Sequence, residues 1–244
     1  MAKKNTNILT WKDAEAVSIA AAHFFISDCH RCITERGRFI VALSGGNTPR
    51  RLYQLLATPE FSHNIPWNKV FLFWSDERFV SYTDADSNYR MVKENLLDHI
   101  SIPEKNIFPV PVHDTAKKSA LAYEKTIDRF FKNKKNIFDW LLLGIGDDGH
   151  TASLFPGTAI LKEKKRLVQE VWVEQKQNWR ISFTLPLINK AAQIIFLVAG
   201  KEKAAIVSDI VHHKKIKPAL PAQLVNPVKG NVCWMIDKEA AVKT

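Results

Sequence analysis

Short, almost wholly apolar runs alternate with longer segments of helical period along most of this chain. That alternation limits its possible folds more than any other feature. The runs are Arg38 to Leu43, Val70 to Trp74, Asp139 to Leu143, Gln193 to Ala199 and Val232 to Asp237. Between them, residues 11–36, Pro49 to about Ala57, Ser87 to His99, Thr115 to Phe131 and Glu202 to His213 read as helices. In the first of these, Val17, Ala20, Ala21, Phe24, Phe25 and Cys32 recur near the helical period, and Gly37 ends it. Strands that are apolar from end to end belong to parallel sheets covered on both faces. Leu167 to Val173 and Arg180 to Leu185 instead alternate, as half-buried strands do.

The expected fold class is therefore α/β, an open, largely parallel sheet with helices on both faces, of the Rossmann-like kind. No fixed-period repeat, low-complexity tract or linker interrupts residues 1–244, so one domain is expected. In such sheets ligands bind outside the carboxyl ends of the strands. The strands ending near Leu43, Trp74, Leu143 and Ala199 each hand over to a polar or glycine-rich loop, and those four loops can meet in one crevice.

Composition excludes several classes. No apolar run approaches the length that spans a bilayer, so no membrane association is expected. Met1 to Asn5 is basic but no apolar stretch follows it, so no signal peptide is read. Three cysteines do not make a disulfide framework. Cys29 and Cys32 lie in a helical stretch with no strand before them, which favours reduced thiols and a cytoplasmic setting. The net charge of +10 gathers at Lys132 to Lys135, Lys162 to Arg166 and His212 to Lys217. No aromatic residues interleave these runs, so they read as solvated surface rather than a nucleic-acid platform. A positive field of this kind draws in small anions.

Three segments can carry chemistry. Ser44-Gly45-Gly46-Asn47-Thr48-Pro49 follows a strand and opens a helix. With Thr48 as N-cap and Pro49 at the first helical position, the helix aims free N–H groups and its positive end at the loop. This is either a phosphate cradle or a tight, well-capped turn. Neither the P-loop pattern nor GxGxxG is present. Ser75-Asp76-Glu77-Arg78 places three charges directly after an apolar strand. Arg78 offers a fork for phosphate or an oxyanion, with Asp76 or Glu77 to orient it; otherwise the segment is a solvated loop. In Gly144-Ile145-Gly146-Asp147-Asp148-Gly149-His150, a histidine stands two residues from Asp148 in a glycine loop at a strand end. A carboxylate can fix the imidazole, and an imidazole titrating near neutrality suits a general base that activates water. A histidine held only for structure is the alternative. Arg180 and Lys203 are either surface cations or partners of the cradle. No G-x-S-x-G elbow and no H-E-x-x-H occur, so neither a serine nucleophile nor a metal is expected.

These residues also carry a resemblance. SGGNTP at 44–49, SDER at 75–78, SNYRMVKENLL at 87–97, GIGDDGHTASLFPG at 144–157, RISFTLPLIN at 180–189, AGKEKA at 199–204 and PAQLVNP at 221–227 stand in the order found in the 6-phosphogluconolactonase family, within the wider group that includes glucosamine-6-phosphate deaminase. The GxGxDGHTASLFP run is the most specific of them. The resemblance implies hydrolysis of 6-phospho-D-glucono-1,5-lactone to 6-phosphogluconate, in the oxidative pentose phosphate pathway, with no cofactor and no essential metal. It implies His150 as base and Arg78 near the substrate; with Asp148, read from the residues as orienting the imidazole, these form the expected catalytic group. It implies Ser44, Gly45, Gly46, Thr48, Arg180 and Lys203 around the phosphate; from the residues themselves, Asp76 is expected in the same substrate-binding group. Asp147 departs from the family pattern, where proline or another residue is frequent. The alternatives are a deaminase of the same fold, which would continue after the histidine with an Ile-Ala-Phe-Asn-Glu-Pro type run rather than Thr-Ala-Ser-Leu-Phe-Pro, and a non-catalytic sugar-phosphate sensor.

Overall fold

In the computed structural model, which describes residues 6–132, 138–211 and 218–241, strands and helices follow one another in the order β1 (Thr6–Trp11), α1 (Ala14–Arg36), β2 (Phe39–Leu43), α2 (Asn47–Ala57), α3 (Pro59–Ser62), β3 (Val70–Trp74), β4 (Asp76–Arg78), α4 (Asn88–Asn95), β5 (Ile107–Phe108), α5 (Ala116–Phe131), β6 (Trp140–Leu143), β7 (Val168–Val173), β8 (Asn178–Phe183), α6 (Leu185–Ile188), β9 (Gln193–Val198), α7 (Ala204–Val211), β10 (Asn231–Asp237) and α8 (Lys238–Ala241). Seven strands form one wholly parallel sheet in the order β1-β10-β9-β6-β2-β3-β5. The remaining three, β4-β8-β7, form a small antiparallel sheet.

The apolar strands are buried along nearly their whole length because helices cover both faces: β2 and β6 have no exposed residue. Helix α1 starts where Asp13 accepts from Ala16 N and stops at Gly37, whose left-handed backbone (φ 74°) returns its N–H to Ile33 O. Its Phe25 meets Phe39 and Trp140 edge-on, joining helix to sheet. Cys29 and Cys32 are buried free thiols on that face; burial pushes them up to about 12 and about 11, so they stay protonated.

Two tyrosines fix the strand ends that face the loops. Tyr53 Oη, from α2, donates to Ser44 O at 2.7 Å and accepts from Ser44 N at 3.1 Å. Tyr123 Oη, from α5, accepts from Trp74 N at 2.8 Å and donates to Trp74 O at 3.1 Å. Both hydroxyls are deeply buried, and each satisfies backbone groups where a strand is ending, at about 1 kcal/mol per bond.

The differences from the sequence reading are local. β1 is an additional strand, and the first helix begins at Ala14 rather than 11. Asp76 to Arg78, read as loop, is a short strand paired with β8. Arg180 does not open its strand: β8 begins at Asn178, and Leu185 already belongs to α6. Ser87 caps α4 by accepting from Arg90 N, and that helix ends at Asn95, before a 3-10 turn at Leu97–His99. Lys201–Lys203 is a 3-10 turn before α7. His212 to Lys217 and most of Lys132 to Lys135 lie outside the described residues. No described helix is long and apolar enough to cross a membrane.

Candidate active site

Ser75 is where the two sheets join. Its N–H and hydroxyl both donate to Leu43 O, at the end of β2, and its own carbonyl accepts from Phe183 N, at the end of β8. β4 therefore leaves the parallel sheet at the carboxyl end of β3, and the small sheet overhangs the loops there. Side chains two apart on a strand share a face. Asp76 and Arg78 of β4 lie on one face, opposite Ser182 and Arg180 of β8.

That face holds the histidine loop. Ser153 Oγ donates to buried Asp76 Oδ2 at 2.6 Å, and Ser153 N donates to Ser182 Oγ at 3.1 Å. Thr151 Oγ1 donates to Gly144 O and Leu154 N to Thr151 O, so both ends of the turn are tied. Ala152, between them, sits in the left-handed region (φ 47°), a conformation costing roughly 1–2 kcal/mol that these bonds hold in place.

His150 donates from Nδ1 to Asp148 Oδ1 at 2.6 Å, and its backbone N–H reaches the same oxygen at 3.0 Å. Its ring stacks on Phe155, with centroids 4.1 Å apart at 23°. With Nδ1–H on the carboxylate, Nε2 carries the lone pair, and it has no partner among the described residues. The side chain is 29% exposed, so water reaches it. Gly146 makes this packing possible: a Cβ there would lie 2.0 Å from His150 Nδ1.

The next rung of the small sheet sets two cations against each other. Arg78 and Arg180 are cross-strand partners. Like charges directly opposite destabilise a sheet pair unless something intervenes. Arg78 Nη1 donates to Asp86 O, but the buried Nε atoms of both guanidinium groups have no partner among the described residues. Desolvation, and then the repulsion of Arg78, lowers the pKa of Arg180. Unpartnered, partly buried donors of this kind have the chemistry to hold a multivalent anion.

Neither acid orients Arg78, contrary to the sequence expectation. Asp76 is engaged by Ser153, and Glu77 points to the other face, where it accepts from Arg78 N, Ser87 Oγ, Asn88 N and Tyr89 N at the start of α4. Burial pushes the Glu77 carboxyl up to about 7 against the pull of those donors.

The Ser44 to Thr48 turn lies beside β4. A Cβ at Gly45 would fall 2.1 Å from Asn88 Oδ1, while Asn88 Nδ2 donates to Asp76 O. Thr48 is not the cap. Helix α2 already begins at Asn47, because Gly46 takes φ 109° and occupies the cap position without a side chain. The N–H groups of Asn47 and Thr48 precede the first helical bond, Arg50 N to Gly46 O, and are free in the sense of any helix start. Ser44 is buried and its hydroxyl donates to Gly45 O, so it shapes the turn rather than presenting a hydroxyl. Lys203, in the turn after β9, donates from Nζ to Asp147 Oδ1 at 2.6 Å.

The four loops after β2, β3, β6 and β9 thus touch in series, through Gly45 and Asn88, Asp76 and Ser153, and Asp147 and Lys203. Ser153, which lacks the glycine flanks of a nucleophile elbow in the sequence, holds Asp76 instead, while nothing in the sequence singles out Asn88 or Ser182. Among the described residues no three His, Cys, Asp or Glu side chains gather as metal ligands.

The family model for glucosamine-6-phosphate isomerases/6-phosphogluconolactonase matches residues 12–234. The chain belongs to that family. Within this enzyme family, a 6-phosphogluconolactonase of Synechocystis sp. is 41% identical over 215 residues, 86% of each chain. A 6-phosphogluconolactonase of Nostoc sp. is 37% identical over 99% of this chain and 98% of its own. Among solved structures, the 6-phosphogluconolactonase of Trypanosoma cruzi superposes with a TM-score of 0.87 at 30% identity, covering 97% of this chain and 96% of that one. The parallel sheet with its covering helices is the fold of the family.

Proposed function

We propose that this chain hydrolyses 6-phospho-D-glucono-1,5-lactone to 6-phospho-D-gluconate, in the oxidative branch of the pentose phosphate pathway, without a metal. The observation that carries the reading is His150 with Nδ1 on Asp148, Nε2 without a partner among the described residues and the ring partly open to water, on a loop tied through Ser153 to Asp76, whose strand pair also carries two arginines with Nε atoms unpartnered among the described residues. The names of the relatives support the substrate.

In this mechanism the sugar phosphate docks among Arg180, the Gly45 to Thr48 turn and Lys203. His150 Nε2 takes a proton from water while Asp148 stabilises the imidazolium that forms. The hydroxide attacks C1, and Arg78 and loop N–H groups meet the oxyanion. The imidazolium returns its proton to the ring oxygen as the C1–O bond breaks. Asp76 is a positioning residue, holding Ser153 and thereby the histidine loop. One domain carries the whole site, supported by a buried apolar cluster that includes residues of both sheets. The three free thiols support a reducing, cytoplasmic setting.

The test compares wild type with His150→Ala on lactone generated in situ. General-base catalysis contributes about a hundred- to ten-thousandfold. The variant should lose that much in kcat while binding 6-phosphogluconate as wild type does. Near-full activity would remove His150 from the mechanism, and ammonia release from glucosamine 6-phosphate by wild type would replace the lactonase reading altogether.

A further inference from the structure

Asp147 is the one acid of the histidine loop that the proposed mechanism leaves idle. Its carboxylate accepts from Lys203 Nζ at 2.6 Å, tying the tip of the loop after β6 to the turn after β9. The two partners are unequally placed. The Lys203 side chain is 22% exposed, whereas that of Asp147 is 78% exposed. The lysine is therefore the fixed member, and the aspartate can swing into solvent. The hydrogen bond from Lys203 holds the Asp147 carboxyl below the usual carboxylate range, so it is an anion at neutral pH.

We infer that Asp147 is an internal stand-in for the substrate's phosphate, occupying Lys203 in the free protein and giving way when a phosphorylated sugar binds. It thus sets affinity rather than rate. The inference rests on the reading of Lys203 as a phosphate contact. A phosphate group carries close to two negative charges against the single charge of a carboxylate, so it displaces Asp147 from the same donor. Because the pair is largely exposed on one side, the displacement penalty is small, at most about fivefold in affinity. A different role for the same contact is a latch that positions His150; its loss would then act on kcat.

Wild type, Asp147→Asn, Lys203→Met and the double variant separate these roles. For each, kcat and KM for the lactone are measured, together with the Kd of inorganic phosphate by calorimetry. Asp147→Glu serves as the conservative control and should match wild type. Asp147→Asn should lower KM and the phosphate Kd by about two- to fivefold with kcat unchanged. Lys203→Met should raise both, and adding Asp147→Asn to it should change neither. A benefit of Asp147→Asn that persists without Lys203 would reduce Asp147 to a general repulsive charge and overturn the inference. A fall in kcat at constant KM would make it a latch, with the same consequence. If Lys203→Met leaves the phosphate Kd unchanged, the inference fails while the lactonase reading stands. If wild type does not turn over the lactone, that reading fails, and the phosphate Kd series still decides whether Asp147 competes.

Discussion

Replacing Gly146 with alanine tests the placement of His150 without substituting any residue that could exchange a proton. The added methyl would lie 2.0 Å from Nδ1 and 2.1 Å from Cε1 of the His150 ring, and 2.8 Å from Asp148 Oδ1. Ordinary van der Waals contact is about 3.5–4.0 Å, so the ring must withdraw by about 1.5 Å or the loop must shift with it. A displacement near 1 Å in a reacting group costs on the order of a hundredfold in rate, or about 2.7 kcal/mol at the barrier. Gly144, two residues earlier, is the internal control. A Cβ there meets nothing within 4 Å. Gly144→Ala should keep wild-type kcat and gain about 0.4–1 kcal/mol of stability from its less flexible unfolded chain. The assay follows acid release from in situ lactone, with thermal melting to show that both variants are folded. A folded Gly146→Ala protein with more than a third of wild-type kcat would refute the placement of His150 at the reacting centre.

Two further outcomes follow from buried groups. Ser153→Ala removes the hydroxyl that donates to buried Asp76, and it should destabilise the protein by about 1.5–3 kcal/mol in urea unfolding; a loss under 0.5 kcal/mol would contradict the contact. Glu77, raised to about 7 by burial, holds a proton in the folded state over a range where the unfolded chain, near 4.5, has lost it. Unfolding free energy should therefore fall with rising pH between about 4.5 and 7, by up to about 1.4 kcal/mol per unit, and Glu77→Gln should flatten that slope; an unchanged slope in the variant would assign it to other groups.

The parts of the fold legible in the sequence were those determined by local burial. β2, β3 and β6 are apolar from end to end, and β9 is so after Gln193, because both faces are covered, and a reader of the sequence needs no partner to see them. β4 was not legible, because Asp-Glu-Arg has no strand character of its own. It becomes a strand only by pairing with β8, about a hundred residues further on. Thr48 fitted the rules for a helix cap, yet the backbone of Gly46 starts the helix one residue before it. His150 and Asp148 were visible as neighbours in a glycine loop. The pairs Asp76 with Ser153 and Asp147 with Lys203 were not, since each joins loops that only the sheet order brings together.

The pairing of Thr6–Trp11 with Val232–Asp237 also bears on how the molecule is made. Among the described residues, β1 has β10 as its only sheet neighbour, and β10 is synthesised more than two hundred residues later. At 5–20 residues per second, the early segment waits roughly ten to fifty seconds for its partner. Closing so long a loop also slows folding after release. In the finished sheet β1 is an edge strand, and its polar positions are Thr6, Asn7 and Thr10. Replacing them with valine should raise the insoluble fraction in cell-free synthesis; an unchanged fraction would count against the edge as the vulnerable element.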